Sequence, residues 1–393
     1  MWIHKRLDIS WGQLIKIIFS LNSSGNRDEI SKEISRTWSA EDENFVCLSV
    51  RTGFDLLLRT LNFPAGSEII SSAVTIPDMF KIMNKNNFKI VPIDINIENL
   101  QIDYDKISEK INDNTRIIIV VNIFGVKHDI NRIKEIIGER KIIIIEDCAQ
   151  LFTQTKEERP KLSDISMYSF GTIKSATAFG GGILNFKDIE LCKKLKEEHS
   201  KYPVQETSVF RKKVFKLTLL KMLSGSFAFA LIFRLFKIFG SDIDQYLYKS
   251  TRGFQGDMFK KIAHQPTIKL LKALNYRLKT YNYDIVKTNI EHGKKMTEIL
   301  SDKFLIPGYK SEYYSYWVFP VASLKLKEVF KNFRKDGYFL SDKHGITSYN
   351  LFTGEDHNLK NADRLMNEVV YLPFYPEKPL SKKLDLSKKL LDI

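Results

Sequence analysis

Between residues 45 and 190, short and nearly uninterrupted runs of branched apolar residues alternate with stretches of helical periodicity. The runs at 44–50, 68–72, 89–93, 116–122, 141–145 and 166–170 predict strands, and 54–61, 78–84 and 129–138 predict helices. Continuous Ile/Val runs separated by helices mark an α/β fold, with a mostly parallel sheet buried on both faces. In such a sheet the crossovers are right-handed, and ligands gather at the carboxyl ends of the strands.

Outside this region the pattern changes twice. Near the start, Trp11, Leu14, Ile15, Ile18 and Phe19 recur at helical spacing, with Asp8, Ser10 and Gln13 interrupting the apolar run. No small-residue cleavage site follows, so the stretch does not read as a secretory signal. It reads as a helix packed on the protein or on a second subunit, or as one facing a membrane. Residues 214–240 are strongly apolar, but the longest uncharged run is 12 residues, 222–233, against about 20 for a spanning helix. Lys216, Lys221, Arg234 and Lys237 flank that run. Two readings stand side by side: a helix lying in the membrane interface, and a buried hairpin or subunit interface that turns at Ser224-Gly225. From 251 onward a polar, helically periodic stretch at 268–300 precedes a strand at 313–321, a helix at 326–337 ending in glycine, and a strand at 369–372. The expected organisation is a large domain at 1–200, a basic apolar helical insertion at 201–250, and a smaller C-terminal α+β domain at 251–393.

Composition narrows the class. At 393 residues, 43% hydrophobic and 27% charged, the chain is of globular type and too long for one small core. Three scattered cysteines, Cys47, Cys148 and Cys192, make neither a disulfide framework nor a zinc site and point to a reducing, cytoplasmic setting. The net charge is +14, and half of it falls within 201–240, where eight basic residues face Glu206 alone. Such a patch suits anionic lipid or a phosphorylated substrate. It carries no nucleic-acid motif, so no nucleic-acid partner is expected.

Three segments carry candidate chemistry. At 142–150, IIIIEDCAQ, a buried strand runs into adjacent carboxylates. Asp147 is either a helix N-cap or a ligand-facing carboxylate able to pair with a protonated ring nitrogen. At 163–184, a strand leads into a glycine-rich loop holding Lys174. A lysine there is either solvated, the usual fate, or desolvated enough that its neutral amine can condense with an aldehyde. The glycines are expected to let backbone approach a flat ligand, and they match neither dinucleotide nor nucleoside-triphosphate loops. At 49–58, SVRTGFDLLL, a strand–turn–helix offers backbone N–H groups to a phosphate. Asp147 and Lys174 lie 27 residues apart, one strand and two loops, so all three segments converge on one sheet edge.

The chain thereby resembles the DegT-type (DegT/DnrJ/StrS) sugar aminotransferases, pyridoxal-phosphate enzymes of fold type I. The resemblance covers residues 30–195 well and 250–380 loosely. It rests on the turn at 49–58, Gly66-Ser67-Glu68-Ile69, Thr75-Ile76-Pro77, Ile123-Phe124-Gly125, Glu146-Asp147-Cys148-Ala149-Gln150, and Ser169-Phe170-Gly171 leading to Lys174 and then Gly180-Gly181-Gly182. It implies that Lys174 binds the cofactor covalently and later moves a proton, that Asp147 pairs with the ring nitrogen, and that Gln150 hydrogen-bonds the phenolic oxygen. It implies further that Ser169, Arg51 and Thr52 bind the phosphate, and that Ile76 covers one ring face. No metal is implied.

The chain departs from the pattern at four places. Val50-Arg51 stands where the family has Gly-Thr. Ile76 stands where it often has an aromatic residue. The family's Asn-Tyr-Arg segment has no clear match near 252–265, and 210–245 is longer and more apolar than usual. The resemblance implies transfer of an amino group from a donor such as glutamate to a keto sugar carried on a nucleotide, for polysaccharide or glycoconjugate synthesis, by a cytoplasmic homodimer. A dehydratase relative is opposed by Lys174, since such members carry histidine there. A non-catalytic relative is favoured by the missing Gly-Thr. A transferase peripheral to the membrane and acting on a lipid-linked substrate is favoured by 214–240.

Overall fold

The computed structural model describes residues 7–22, 24–39, 43–223, 256–342 and 345–393. Two helices, α1 (Trp11–Ser20) and α2 (Arg27–Trp38), precede β1 (Glu43–Cys47) and α3 (Val50–Leu61). There follow β2 (Glu68–Ser72), β3 (Val74–Thr75), α4 (Pro77–Lys85), β4 (Lys89–Ile93), α5 (Tyr104–Lys110), β5 (Thr115–Val121), α6 (Ile130–Ile137), β6 (Ile143–Asp147), β7 (Ile165–Ser169), β8 (Gly182–Phe186), α7 (Ile189–Ser200) and α8 (Thr207–Leu223). The main sheet has the order β1-β8-β7-β6-β5-β2-β4. Every strand runs parallel except β8, which pairs antiparallel with both β1 and β7. The carboxyl ends of β1, β5, β6 and β7 therefore share one edge, and β1, β6 and β7 each open onto a segment expected to carry chemistry.

Helix α3 starts four residues earlier than its periodicity predicts. Ser49 caps it, accepting from the Thr52 N–H at 3.2 Å, a contact that satisfies one of the donors a helix start leaves open. Strand β6 lies two residues later than predicted, so Asp147 is its last residue. The alternation of side chains along a strand then separates the two carboxylates. Glu146 accepts from Asn122 Nδ2 at 3.0 Å, and burial pushes its pKa up to about 7. Asp147 faces the other way. No helix follows it, so it is not an N-cap.

Beyond residue 255 come α9 (Met258–Ile262), α10 (Ile268–Lys279), α11 (Asp284–Leu300), β9 (Phe319–Ala322), α12 (Leu324–Val329), β10 (Thr347–Ser348), α13 (Tyr349–Thr353), α14 (Lys360–Glu368), β11 (Val369–Leu372) and α15 (Leu380–Leu391). The stretch at 268–300 is thus two helices. The strand predicted at 313–321 shrinks to four residues paired with β11, because 314–317 hydrogen-bonds elsewhere. The helix predicted at 326–337 becomes α12 followed by a 3-10 turn at Phe330–Arg334. Of the apolar stretch 214–240, residues 214–223 belong to α8, and 224–240 lie outside the described residues. Among the described residues no helix is long and apolar enough to cross a membrane.

The periodicity of α1 is real, but its predicted stripe is not the one that packs. Leu14 and Ile17 are buried, whereas Trp11, Ile15, Ile18 and Phe19 are exposed. One buried cluster joins Leu14 and Ile17 to Phe170, Ala176 and Phe179 of the lysine loop, to Phe210, Val214 and Leu217 of α8, and to Leu270 and Leu274 of α10.

Gly181 and Gly182 at the end of the loop serve close packing. A Cβ on Gly182 would stand 2.6 Å from the Val50 nitrogen and 2.8 Å from the Ser49 carbonyl carbon. Gly181 has φ +91°, and its Cβ would press on Leu274 at 3.1 Å. Because the obstacle at Gly182 is backbone at a helix start, it cannot swing away. The variant Gly182→Ala is expected to lower unfolding free energy by roughly 1–3 kcal/mol in urea titration. An unchanged midpoint would mean that β8 and α3 are not packed this closely.

Candidate active site

The loop from Phe170 to Gly181 is held shape by its own backbone and by one buried cation. Ala178 and Gly180 N–H both donate to Phe170 O at 3.0 and 3.1 Å, and Lys174 N–H donates to Gly171 O at 3.1 Å. The Thr177 hydroxyl donates to Gly171 O at 2.7 Å and accepts from the Phe179 N–H at 3.1 Å. Ala176 and Phe179 sit at positive φ, 50° and 66°, a conformation that persists only where its surroundings enforce it. Arg277, on α10 and 1% exposed, supplies that enforcement. Its Nε donates to Thr177 O at 3.0 Å and its Nη2 to Asp8 O at 2.6 Å. Asp8 Oδ2 in turn accepts from the Ala176 N–H at 2.7 Å.

Lys174 emerges from this loop with its ammonium 4.5 Å from the centroid of the Trp317 ring. Desolvation is the main influence on it and pulls its pKa down to about 8, and Arg51 pushes the same way against the pull of Asp147. Asp147 is 5% exposed. Burial raises its pKa, opposed by the Ala149 N–H that Oδ1 accepts at 2.9 Å and by the charges of Lys174 and Arg51. Each of these groups thus influences the other's charge, and both are held where water is scarce.

Ser169 ends β7, and its Oγ lies 3.6 Å from where a Cβ on Gly171 would stand, with Lys174 Cγ at 3.9 Å. Gly171 is therefore the loop glycine that faces the site. Arg51, in the first turn of α3, pairs with Asp78 at 2.6 Å. Thr52 is 1% exposed, and its Oγ1 is 3.1 Å from Ser49 Oγ, so its hydroxyl is engaged by the helix cap. Ile76 is the half-buried residue that precedes α4, next to the Asp78 that holds Arg51. Gln150 accepts the Phe124 N–H at 2.9 Å through Oε1, which leaves its NH2 as the donor available to a ligand.

Three contributors escaped the sequence reading. Trp317 is set in place by the chain that follows β5: Ser315 N–H donates to Gly125 O at 2.9 Å and Trp317 N–H to Phe124 O at 3.0 Å. Gly125, at φ +96°, has no room for a side chain, since a Cβ would stand 2.1 Å from Ser315 Oγ. The signal was the Ile123-Phe124-Gly125 turn, but its partner lies 190 residues away. Lys213 is the second. It falls on the inward stripe of α8 with Phe210, Val214 and Leu217, and burial together with Arg51 and Lys216 pulls its pKa down to about 8. In the sequence it was one charge within a basic run. Arg277 is the third, masked by the polar periodicity of its helix.

In front of Lys174 opens a cleft with about 620 Å³ of empty space, part of it continuous with solvent. Phe152, Tyr281, Trp317 and Tyr375 give it aromatic walls, and Asp8, Asn289, Ser315 and Glu377 bring polar atoms to it. Phe152 and Tyr281 meet edge to face, 4.8 Å between centroids. Mixed aromatic and hydrogen-bonding walls suit a polar ring compound. Of the residues expected to hold a cofactor, Lys174 lines this cleft, and Asp147, Gln150, Ser169, Arg51, Thr52 and Ile76 are not among its lining residues. As a set of groups they suit a phosphorylated heterocycle with an aldehyde: an amine with a lowered pKa, a buried carboxylate for a protonated ring nitrogen, an amide N–H donor at Gln150, a hydroxyl, a guanidinium and a helix start.

Known proteins share this fold and, in part, this sequence. Residues 41–217 match the model of the DegT/DnrJ/EryC1/StrS aminotransferase family. The chain is 30% identical over 171 residues to a UDP-4-amino-4-deoxy-L-arabinose–oxoglutarate aminotransferase of Shewanella sediminis, a match covering 43% of either chain. It is 28% identical over 155 residues to a dTDP-3-amino-3,6-dideoxy-alpha-D-galactopyranose transaminase of Aneurinibacillus thermoaerophilus, covering 38% of this chain and 43% of that one. The sequence matches thus span less than half the length of these relatives. Structural likeness runs further. The Helicobacter pylori aminotransferase PseC, involved in the biosynthesis of pseudoaminic acid, superimposes with a TM-score of 0.71 at 15% identity, covering 100% of this chain and 98% of that one. The sugar aminotransferase CalS13 from Micromonospora echinospora gives 0.69 at 16% identity over 100% of both. The fold is that of these fold-type-I enzymes from end to end, and residues 41–217 carry the match to the DegT/DnrJ/EryC1/StrS aminotransferase family.

Proposed function

We infer that the chain is a pyridoxal-phosphate-dependent aminotransferase that passes an amino group from an amino-acid donor, glutamate foremost, to a keto sugar carried on a nucleotide. The observation that carries this reading is the desolvated Lys174 amine and the buried Asp147 carboxylate, each acting on the other's charge, with Arg51 of the α3 start acting on both. The printed activities of the relatives in Shewanella and Aneurinibacillus support the sugar-nucleotide class. When bound, pyridoxal phosphate supplies an aldehyde for condensation with amines and a ring that withdraws electrons from the adjoining carbon.

The chain's own residues do the rest. Lys174 Nζ, as a neutral amine, would hold the cofactor through its aldehyde carbon and, when free, would carry the proton that moves between carbons. Asp147 would keep a proton on the ring nitrogen. Gln150 would donate its NH2 to the phenolic oxygen. Ser169, Arg51 and the first turn of α3 would bind the phosphate, Thr52 fixes that turn through its contact with Ser49, and Lys213 would add a second cation. Ile76 would cover one ring face with aliphatic atoms. Trp317 keeps water from Nζ and favours its charged form.

The reading includes a second copy of the chain as partner, no nucleic acid, no metal, and a cytoplasmic location with contact to the inner membrane surface through 214–240. It keeps the division into 1–200, 201–250 and 251–393.

Two outcomes test it. Lys174→Ala is expected to take up no covalently bound cofactor, seen as loss of the visible absorbance band, and to lose transfer to a panel of keto-sugar nucleotides by about a hundredfold to ten-thousandfold. Normal turnover in that variant, with no cofactor band in the wild type, ends the assignment. The second outcome is a pH profile. A lysine whose pKa is lowered to about 8 gains its reactive neutral form tenfold per pH unit below that value and no further above it. Cofactor uptake in rapid mixing should therefore climb to about pH 8 and then level. A rate still climbing toward 10.5, the ordinary lysine value, would mark Lys174 as solvated.

A further inference from the structure

We propose that the outer faces of α1 and α8 form one docking surface for an anionic lipid bilayer. The inference deepens the peripheral location given above by naming the face that makes contact. It does not depend on the reaction assigned to Lys174.

The two helices are amphipathic in an inverted sense. Each sends a narrow stripe inward, Leu14 and Ile17 from α1 and Phe210, Val214 and Leu217 from α8, and each leaves a broader apolar face outside. Phe19 is 77% exposed and Phe215 75%, and Trp11, Ile15, Leu219 and Met222 are exposed with them. Among the described residues these two helices hold nine of the fifteen exposed large hydrophobic side chains. The two faces are continuous. Lys221 of α8 holds its ammonium 5.3 Å from the centroid of Trp11 in α1, and Arg211 Nη2 donates to the Leu21 carbonyl, one residue past the end of α1, at 3.1 Å. An exposed apolar surface this concentrated marks a contact with a partner.

Charge identifies the partner. The sequences of α1 and α8 contain six basic residues and no acidic one. Lys16, Arg211, Lys212 and Lys216 are exposed around the apolar residues. A second copy of the chain seated here across a two-fold axis would bring the same cations face to face, with no carboxylate on either helix to neutralise them. A layer of phospholipid head groups supplies the missing anions and the apolar depth at once. Phe19, Phe215 and Trp11 reach the acyl boundary, while the lysines extend their stems and keep their charges at the phosphates.

The test is sedimentation of the full-length protein with vesicles of phosphatidylglycerol and phosphatidylcholine, against vesicles of phosphatidylcholine alone. The protein should pellet with the anionic vesicles, less at high salt, and little with the neutral ones. Each basic residue near such a surface strengthens binding about fivefold. Lys16→Glu, Lys212→Glu and Lys221→Glu combined should therefore weaken partitioning by at least on the order of a hundredfold. Phe19→Ser with Phe215→Ser should also release the protein. All five positions lie outside the active site, and unchanged thermal unfolding and cofactor absorbance verify that the variants are folded. Two results overturn the proposal: wild-type protein that stays in the supernatant with anionic vesicles, or variants that pellet like the wild type. A third does so equally. If the variants fall from dimer to monomer in light scattering while vesicle binding persists, the face is a subunit interface.

Discussion

An amine and a carboxylate have been taken out of water close enough to feel one another's charge, and neither is comfortable in its charged form. Burial drives the Lys174 pKa down and the Asp147 pKa up, each shift favouring the neutral species. Their mutual attraction restrains both shifts, and the Ala149 N–H restrains that of Asp147 as well. A pair so balanced changes protonation readily when a new charged group enters between its members. The arrangement requires that the lysine loop neither sag into solvent nor fold onto the carboxylate, and most of the surrounding structure can be understood as meeting that requirement.

The loop is restrained from three directions. From inside, its own carbonyls at Phe170 and Gly171 are saturated by Ala178, Gly180, Lys174 and Thr177. From the N-terminal side, Asp8 accepts from Ala176, and Arg277 bonds both Thr177 and Asp8. From the far end of the chain, Ser315 and Trp317 are bonded to the turn after β5, which lowers an indole over the ammonium. Gln150 reaches that same turn through Phe124. The turn at Ile123–Gly125 thus links the carboxylate strand, the amide donor and the covering ring, which explains why Gly125 tolerates no Cβ and why Phe124 accepts a positive φ of 57°.

How much of this was legible depends on how local each determinant is. The parallel strands announce themselves through continuous Ile/Val runs, and β2, β4 and β11 appear at the predicted bounds because turn residues or charges delimit them on both sides. Asp147 and Lys174 stand out in the sequence because their types and their 27-residue separation follow from strand order. Trp317, Arg277 and Lys213 were not found. Each acts through a partner roughly 100 to 190 residues away, and no periodicity reports such a contact. The glycines after Lys174 show the opposite error. Their number was noticed, but their purpose, close packing of β8 and the loop on α3 and α10, needs coordinates to see. Likewise the periodicity of α1 reveals a helix without revealing which of two apolar stripes packs inward.

The unused stripe of α1 bears on the site through a shared core. Leu14, Ile17, Phe210, Val214 and Leu217 pack in the same cluster as Phe170, Ala176 and Phe179. The segment that leads into α1 lines the cleft with Leu7 and Asp8, and Ser10 caps the helix by accepting from Gln13 N–H at 3.2 Å. Gln13 Nε2 in turn donates to the Thr280 carbonyl just beyond α10, at 3.2 Å, and α10 carries Arg277. The outer faces of α1 and α8 therefore belong to helices whose inner faces hold the lysine loop. Well-packed interiors transmit displacement instead of absorbing it, so a force applied to that surface reaches the loop through side chains already in contact. Steadying α1 and α8 from outside would steady Arg277, and with it the position of the Lys174 amine.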